Sequence, residues 1–327
     1  MNRRILFFFF LILIAASCGK KNVYGEINPE FEIIRLDSVM FSFLNNQTSE
    51  QALNNFFPLL DTLGKHTYRI GICEDESFYS RLKTYFSHDE LKKLYQDTEA
   101  CFQDMTQMNR ELSYGMEQLQ SHFPEIPAPK IYSHVSGWKQ NVIVTDDALS
   151  ISLDKYLGSD YPLYQSYFKT YQLPLMCPDR VVPDYLLGYI MANLPFRGDD
   201  KVLLNRMLYE GKLSYILSQL IPERDKREFV GYTEEQYRWC EKNEKRIWNK
   251  ILENKHLYTP DPITTNQYLR PAPYTSNLPT ESPDRVGVWL GYQIICSYMK
   301  KNPKTTLSEL MQMTEYQQLL KDSRYKP

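Results

Sequence analysis

Glycine is scarce in this chain, 13 of 327 residues, and none of it forms the glycine-rich loop that cradles a nucleotide phosphate. Histidine is scarcer still. His66, His88, His122, His134 and His256 each stand alone, with no H-x-x-x-H or H-x-H spacing, so no clustered zinc ligands can be read and no metal or other cofactor is expected. Charge of one sign is also missing: 38 Lys and Arg against 40 Asp and Glu leave −2, which offers nucleic acid no basic face. There is no G-x-S-x-G and no local cysteine signature of a nucleophile. Cys73, Cys101, Cys177, Cys240 and Cys296 are far apart, form no C-x-x-C, and read as isolated small apolar side chains, with disulfide connectivity left open. Hydrophobic residues at 43% and charged residues at 24% exclude both a disordered chain and a polytopic membrane protein.

The start of the chain is where the sequence departs from these averages. Met1-Asn2-Arg3-Arg4 is basic, Ile5 to Ala16 is an apolar run of 12 residues, and Ala15-Ala16-Ser17 leads into Cys18. Such a run is too short to span a bilayer, and its basic, apolar, small order reads as a secretory leader. Small residues just before a cysteine make it resemble a bacterial lipobox, with Ala15 where Leu is usual. The expectation is a signal peptide over 1–17, lipidation of Cys18 (palmitate among the acyl chains), and a polar tether over 18–27. Removing residues 1–17, which carry Arg3 and Arg4, leaves 310 residues with 36 basic and 40 acidic side chains, a charge of −4. Two or more acyl chains anchor firmly where one is marginal. The membrane partner is thus the cell membrane or the outer membrane. The absence of acidic residues in Gly19-Lys20-Lys21-Asn22 points to a periplasm-facing anchor.

Residues 28–327 read as a single globular domain, α+β and mostly helical, with one small sheet at about 130–154 packed by helices. Phe31, Ile33, Ile34 and Leu36 suggest a short strand ahead of it, and Gln51–Leu63 a helix. Ser87-x-x-Glu90 resembles a capping box opening a helical stretch to His122, whose Phe102, Met105, Met108, Leu112, Met116 and Leu119 make a core-facing row. Turns are expected at Ser136-Gly137 and Asp146-Asp147. Helices follow over 182–194 and from Asp199 to about Leu220, then from the capping boxes Thr233-x-x-Gln236 and Thr306-x-x-Glu309. Six prolines over 259–284 read as a long loop with Tyr258, Tyr268 and Tyr274 available for a partner. Val286–Met299 reads as a buried helix, with Gly287 and Gly291 permitting close backbone approach.

Acid–base chemistry would need two carboxylates brought together by the fold, and Asp184 with Glu210, on consecutive helices, is the pair to inspect. With 40 acidic residues, chance pairs are common. Longer motifs are more telling. Ile151-Ser152-Leu153-Asp154-Lys155-Tyr156-Leu157-Gly158, Met207-Leu208-Tyr209-Glu210-Gly211-Lys212, Trp239-Cys240-Glu241-Lys242-Asn243-Glu244 with Ile247-Trp248, and Gly287-Val288-Trp289-Leu290-Gly291-Tyr292-Gln293-Ile294-Ile295 resemble the gliding motility-associated lipoprotein GldB family of the Bacteroidetes. The resemblance runs through nearly the whole mature chain.

That family is distantly similar to zincin-type zinc peptidases, in which a helix carrying H-E-x-x-H follows a small sheet and a second helix supplies a Glu followed by Gly. Glu210-Gly211 matches the second element, but Pro183 to Met191, where the first belongs, contains no histidine. The resemblance therefore implies a zincin-like scaffold without its zinc chemistry, and a vestigial cleft lined by Asp184, Tyr189, Glu210, Gly211 and Tyr292. It implies a non-catalytic envelope lipoprotein. This would be an accessory or assembly factor of the gliding machinery linked to type IX secretion, or serve a related role in a non-gliding cell, with other envelope proteins as partners. The alternatives are a divergent hydrolase around Glu210 and a module that binds a peptide or cell-wall fragment.

Overall fold

The computed structural model describes residues 30–327; the leader, Cys18 and the tether lie outside the described residues. Four short strands form the one sheet found among the described residues: β1 (Ile33–Arg35), β2 (Lys130–His134), β3 (Val142–Val144) and β4 (Ala148–Ser152), in the order β1-β2-β4-β3. β1, β2 and β4 run parallel, with Ile33 opposite Ile131 and Ile131 opposite Leu149, and β3 closes the edge antiparallel to β4. The turn at Asp146-Asp147 is tight, Thr145 N donating to Ala148 O at 2.8 Å. The sheet thus spans more than 130–154, because the β-branched pair at 33–34 returns from far upstream to pair with β2.

Helices supply most of the rest. Before β2 come α1 (Leu36–Leu44), α2 (Phe57–Thr62), α3 (Phe78–Tyr85), α4 (Asp89–Cys101) and α5 (Thr106–His122). After β4 come α6 (Pro162–Tyr167), α7 (Val181–Asn193), α8 (Leu203–Leu220), α9 (Glu234–Glu253), α10 (Pro262–Leu269), α11 (Val286–Lys301), α12 (Leu307–Gln312) and α13 (Tyr316–Ser323). Among the described residues no helix is long and apolar enough to cross a membrane.

Strand alternation divides the core in two. Ile131, Leu149 and Ile151 face the larger cluster, built with α5, α7, α8 and α11, whereas Tyr132, Ile143 and Ala148 face a smaller one with Leu36, Met40, Leu60 and Phe78. Among the described residues the core clusters begin at Phe31, which a chain starting at residue 28 retains. Thirteen of the eighteen residues of α8 are buried, which makes it the central helix rather than an amphipathic surface one. It crosses α11 with backbone close against backbone. A Cβ on Gly211 or Gly291 would run into the facing backbone, of Gly291 and Met207 respectively. Around that contact each fully buried Leu or Ile contributes roughly 1.5–3 kcal/mol of burial.

Several local expectations are corrected. The Gln51–Leu63 helix is in fact a 3₁₀ turn over Glu50–Phe56, then α2, then a π segment Leu63–Tyr68, because Pro58 cannot donate the bond that would continue one helix through it. Ser87 caps nothing. His88 is the N-cap of α4 without a side-chain bond, and the Ser87 hydroxyl donates to Thr84 O at 2.7 Å, closing α3 instead. The stretch to His122 breaks at Phe102–Met105, where Asp104 Oδ1 accepts from Thr106 N at 2.9 Å, although Phe102, Met105, Leu112, Met116 and Leu119 remain buried. Asp199 makes a turn, accepting from Lys201 N at 2.9 Å, and α8 starts only at Leu203. The proline-rich segment is not one loop. Asp261 accepts from Ile263 N at 3.0 Å and Pro262 opens α10, which buries Tyr268 completely while Tyr258 and Tyr274 stay exposed. Of the five described cysteines, all free, Cys240 is buried, three are half-buried, and Cys101 is exposed, contrary to its reading as a core residue.

Candidate functional site

The five residues assigned to a cleft are held by separate contacts. Asp184 stands in the first turn of α7, where its carboxylate takes Arg180 Nη2 at 2.6 Å and the Tyr156 hydroxyl at 2.8 Å. Arg180 also donates to Glu228 O at 2.7 Å, so the pair ties α7 to the segment before α9. Burial and the Asp184 charge push the Tyr156 phenol well above its ordinary value, which keeps it a donor. Glu210, on α8, is bonded to Arg206 one turn earlier at 2.9 Å. Loss of water raises its carboxyl, and the positive charges of Arg206, Arg285 and Arg270 pull it partly back. No hydrogen bond or ion pair joins Asp184 to Glu210.

The remaining three are packing residues. Tyr189 is buried, and its hydroxyl donates to Pro127 O at 2.6 Å, fastening α7 to the chain entering β2. Tyr292 is 8% exposed, with its ring 6.5 Å from that of Phe229. Gly211 lies against Gly291, where there is no room for a side chain. The region between α7, α8 and α11 is therefore filled at the positions assigned to the cleft.

A second polar constellation, absent from the sequence reading, lies at the carboxyl ends of the parallel strands. Asp37 is fully buried. It accepts from Arg35 Nε at 2.9 Å and from the Ser133 hydroxyl, while its backbone carbonyl takes Tyr95 OH at 2.8 Å. Glu99 joins through Arg35 Nη2 at 3.2 Å and Ser38 Oγ at 2.8 Å; burial and the Asp37 charge hold its carboxyl up to about 7. On the other sheet face, His134 Nδ1 meets Ser150 Oγ at 2.7 Å, and Nε2 is buried without a partner. Burial lowers this imidazole to about 3, so it is neutral. Asp154 accepts from Ser136 N at 3.0 Å, Trp138 N at 2.8 Å and the Ser152 hydroxyl.

Ser, His and Asp are all present in this seam, but not in an order that activates a nucleophile. His134 meets Ser150 through Nδ1, but no carboxylate takes its Nε2, and Asp154 accepts from backbone amides and Ser152 rather than from the imidazole. Asp37, Ser133, His134, Ser136, Ser150, Ser152 and Asp154 are each 0% exposed, so no substrate reaches them. The seam fixes the turn at 136–138 and the start of α1. Nothing local announces it: serine at alternate positions of 148–152 is the pattern of a solvated face, whereas here every residue of β4 is buried.

A groove of about 380 Å³ opens where the turn after α7 meets α12 and α13, with Asn193, Arg197, Tyr209, Met311 and Tyr316 among its walls and none of the five assigned residues lining it. Its walls mix aromatic and aliphatic side chains with one charge of each sign, Glu125 and Arg197, a composition that suits recognition of another protein. Among the described residues no group of three or more His, Cys, Asp and Glu side chains is placed to hold a metal ion.

A family model described as gliding motility protein GldB matches residues 17–327. No curated protein and no solved structure matches the chain.

Proposed function

Since the chain belongs to the family of the gliding motility protein GldB, a gliding motility-related lipoprotein family, we propose that it acts without catalysis, as an accessory or assembly factor for other envelope proteins. Asp184 and Glu210, the pair singled out for acid–base work, are each engaged by an arginine one turn earlier on or beside its own helix, and this observation carries the reading. The packing of Tyr189, Gly211 and Tyr292 supports it, because a peptidase or a fragment-binding module needs a cavity at that place. On this proposal the scaffold is zincin-like, with α7 at the place of the metal-binding helix and no histidine between Pro183 and Met191. Anchoring is through acylated Cys18, with the domain held toward the periplasm by residues 18–27. The groove beside Tyr209 and Tyr316 receives the protein partner.

Metal analysis of the purified 28–327 chain separates this reading from the hydrolase alternative. The expected result is no stoichiometric zinc. Stoichiometric zinc that disappears in Glu210→Ala would overturn the proposal and restore a divergent hydrolase centred on Glu210.

A further inference from the structure

Helix α9 has two chemically distinct sides. Tyr237, Cys240, Ile247 and Ile251 are buried on one. On the opposite side, Lys242, Lys245, Arg246 and Lys250 line a groove of about 630 Å³ whose far wall is the turn Asn277–Leu278–Pro279. That wall is fixed by Asn277 Nδ2 donating to Gln267 Oε1 at 3.0 Å, which ties it to α10.

The acidic residues of α9 are mostly used elsewhere. Glu234 pairs with Arg238, Glu241 with Lys226, and Glu244 accepts from Tyr325 OH at 2.6 Å, leaving Glu253 as the one carboxylate in the groove. Among the described residues none of the four cations has an ion-pair partner. Four unpaired cations converging on one groove attract an anion.

A second observation says which anion. Eight large hydrophobic side chains are exposed among the described residues, and four of them, Leu252, Tyr258, Ile263 and Tyr274, fall within residues 252–274, on the end of α9 and on and around α10. Ile263 is the most exposed of all, at 69%. The other four are scattered over β1, α2, α6 and α7. A soluble anion needs no apolar fringe. A bilayer surface uses both features, cations for the headgroups and aromatic and aliphatic side chains for the acyl boundary.

We propose that the groove between α9 and the 277–279 turn docks the domain on a membrane by taking the headgroup of an anionic phospholipid, with Tyr258, Ile263 and Tyr274 entering the interface beside it. A tether of residues 18–27 reaches at most about 35 Å from an anchored Cys18, so the domain stays within reach of the same bilayer. The binding itself depends neither on the anchor nor on the partner groove, and its test leaves the proposed accessory role untouched.

The test is co-sedimentation of the 28–327 chain with vesicles of phosphatidylcholine alone or mixed with phosphatidylglycerol, across a salt series. Binding is expected only with phosphatidylglycerol and should weaken as salt rises. Lys245→Glu with Arg246→Glu should lower affinity more than tenfold, at about fivefold per cation removed. Ile263→Ser should lower it severalfold, and Lys304→Glu, at an exposed lysine that does not line the groove, should leave it unchanged. These side chains are exposed, and an unaltered thermal melt checks that the fold is intact. Equal binding to the neutral vesicles, or wild-type binding by the double variant, would overturn the proposal. So would a groove that binds inorganic polyphosphate but no vesicle, which would make its ligand a soluble anion.

Discussion

The crossing of α8 and α11 is closed by backbone against backbone, whereas the seam along the strand ends is closed by hydrogen bonds that buried side chains make to one another and to nearby backbone groups. At the crossing, residue identity matters because it must be absent: only glycine fits at 211 and 291. In the seam, identity matters because each polar group is another's partner, as Asp154 is for Ser136, Trp138 and Ser152. Both regions are buried. The contrast shows that Gly211, beside a carboxylate that draws attention in the sequence, is required by packing against α11 whatever Glu210 does.

The largest effect is expected at the crossing. Gly291→Leu should cost roughly 3 kcal/mol or more in denaturant unfolding, because the atoms it meets are backbone and cannot rotate away. A wild-type midpoint would mean that the helices stand apart and a cleft exists. In the seam, Asp154→Ala should cost about 2–3 kcal/mol by stranding buried donors, whereas Asp154→Asn, which still accepts, should cost less. Equal losses in the two variants would mean that the hydrogen bonds are not what closes the seam.

The capping boxes at Thr233 and Thr306 were legible because their partners lie three residues away, and both form with reciprocal bonds. The same pattern at Ser87 failed because the end of α3 competes for the hydroxyl. The spacing of Gly287 and Gly291 foretold a close approach, and Gly291 delivers it against α8. The helix inside the proline-rich segment was readable from Asp261-Pro262, an N-cap followed by proline, but the six prolines outweighed it. The seam was not readable. Asp37 and Ser133 are 96 residues apart in the chain, and no local pattern reports that β1 pairs with β2.

A pH series sharpens the comparison further. The folded His134 titrates at about 3 against an ordinary 6.5, so the unfolded chain binds more protons between those values. This group's contribution falls as pH drops through that window, by about 1.4 kcal/mol per pH unit. Glu99, raised from 4.5 to about 7, acts in the opposite sense, and its contribution falls as pH rises between those values. His134→Asn should therefore lose less stability than the wild type between pH 6.5 and 3; parallel pH profiles would place the imidazole in solvent. The smallest effect is expected for Glu210→Gln, under about 1 kcal/mol, since it removes one pair between residues a turn apart with a fifth of each side chain still exposed.

The measurement that bears most directly on the account is complementation of a strain lacking this chain with the double variant Asp184→Asn, Glu210→Gln. If the protein works by docking rather than by acid–base chemistry, the variant restores surface spreading and envelope integrity at normal abundance. A stable, normally abundant variant that restores neither would contradict the account and make the two carboxylates part of a working site.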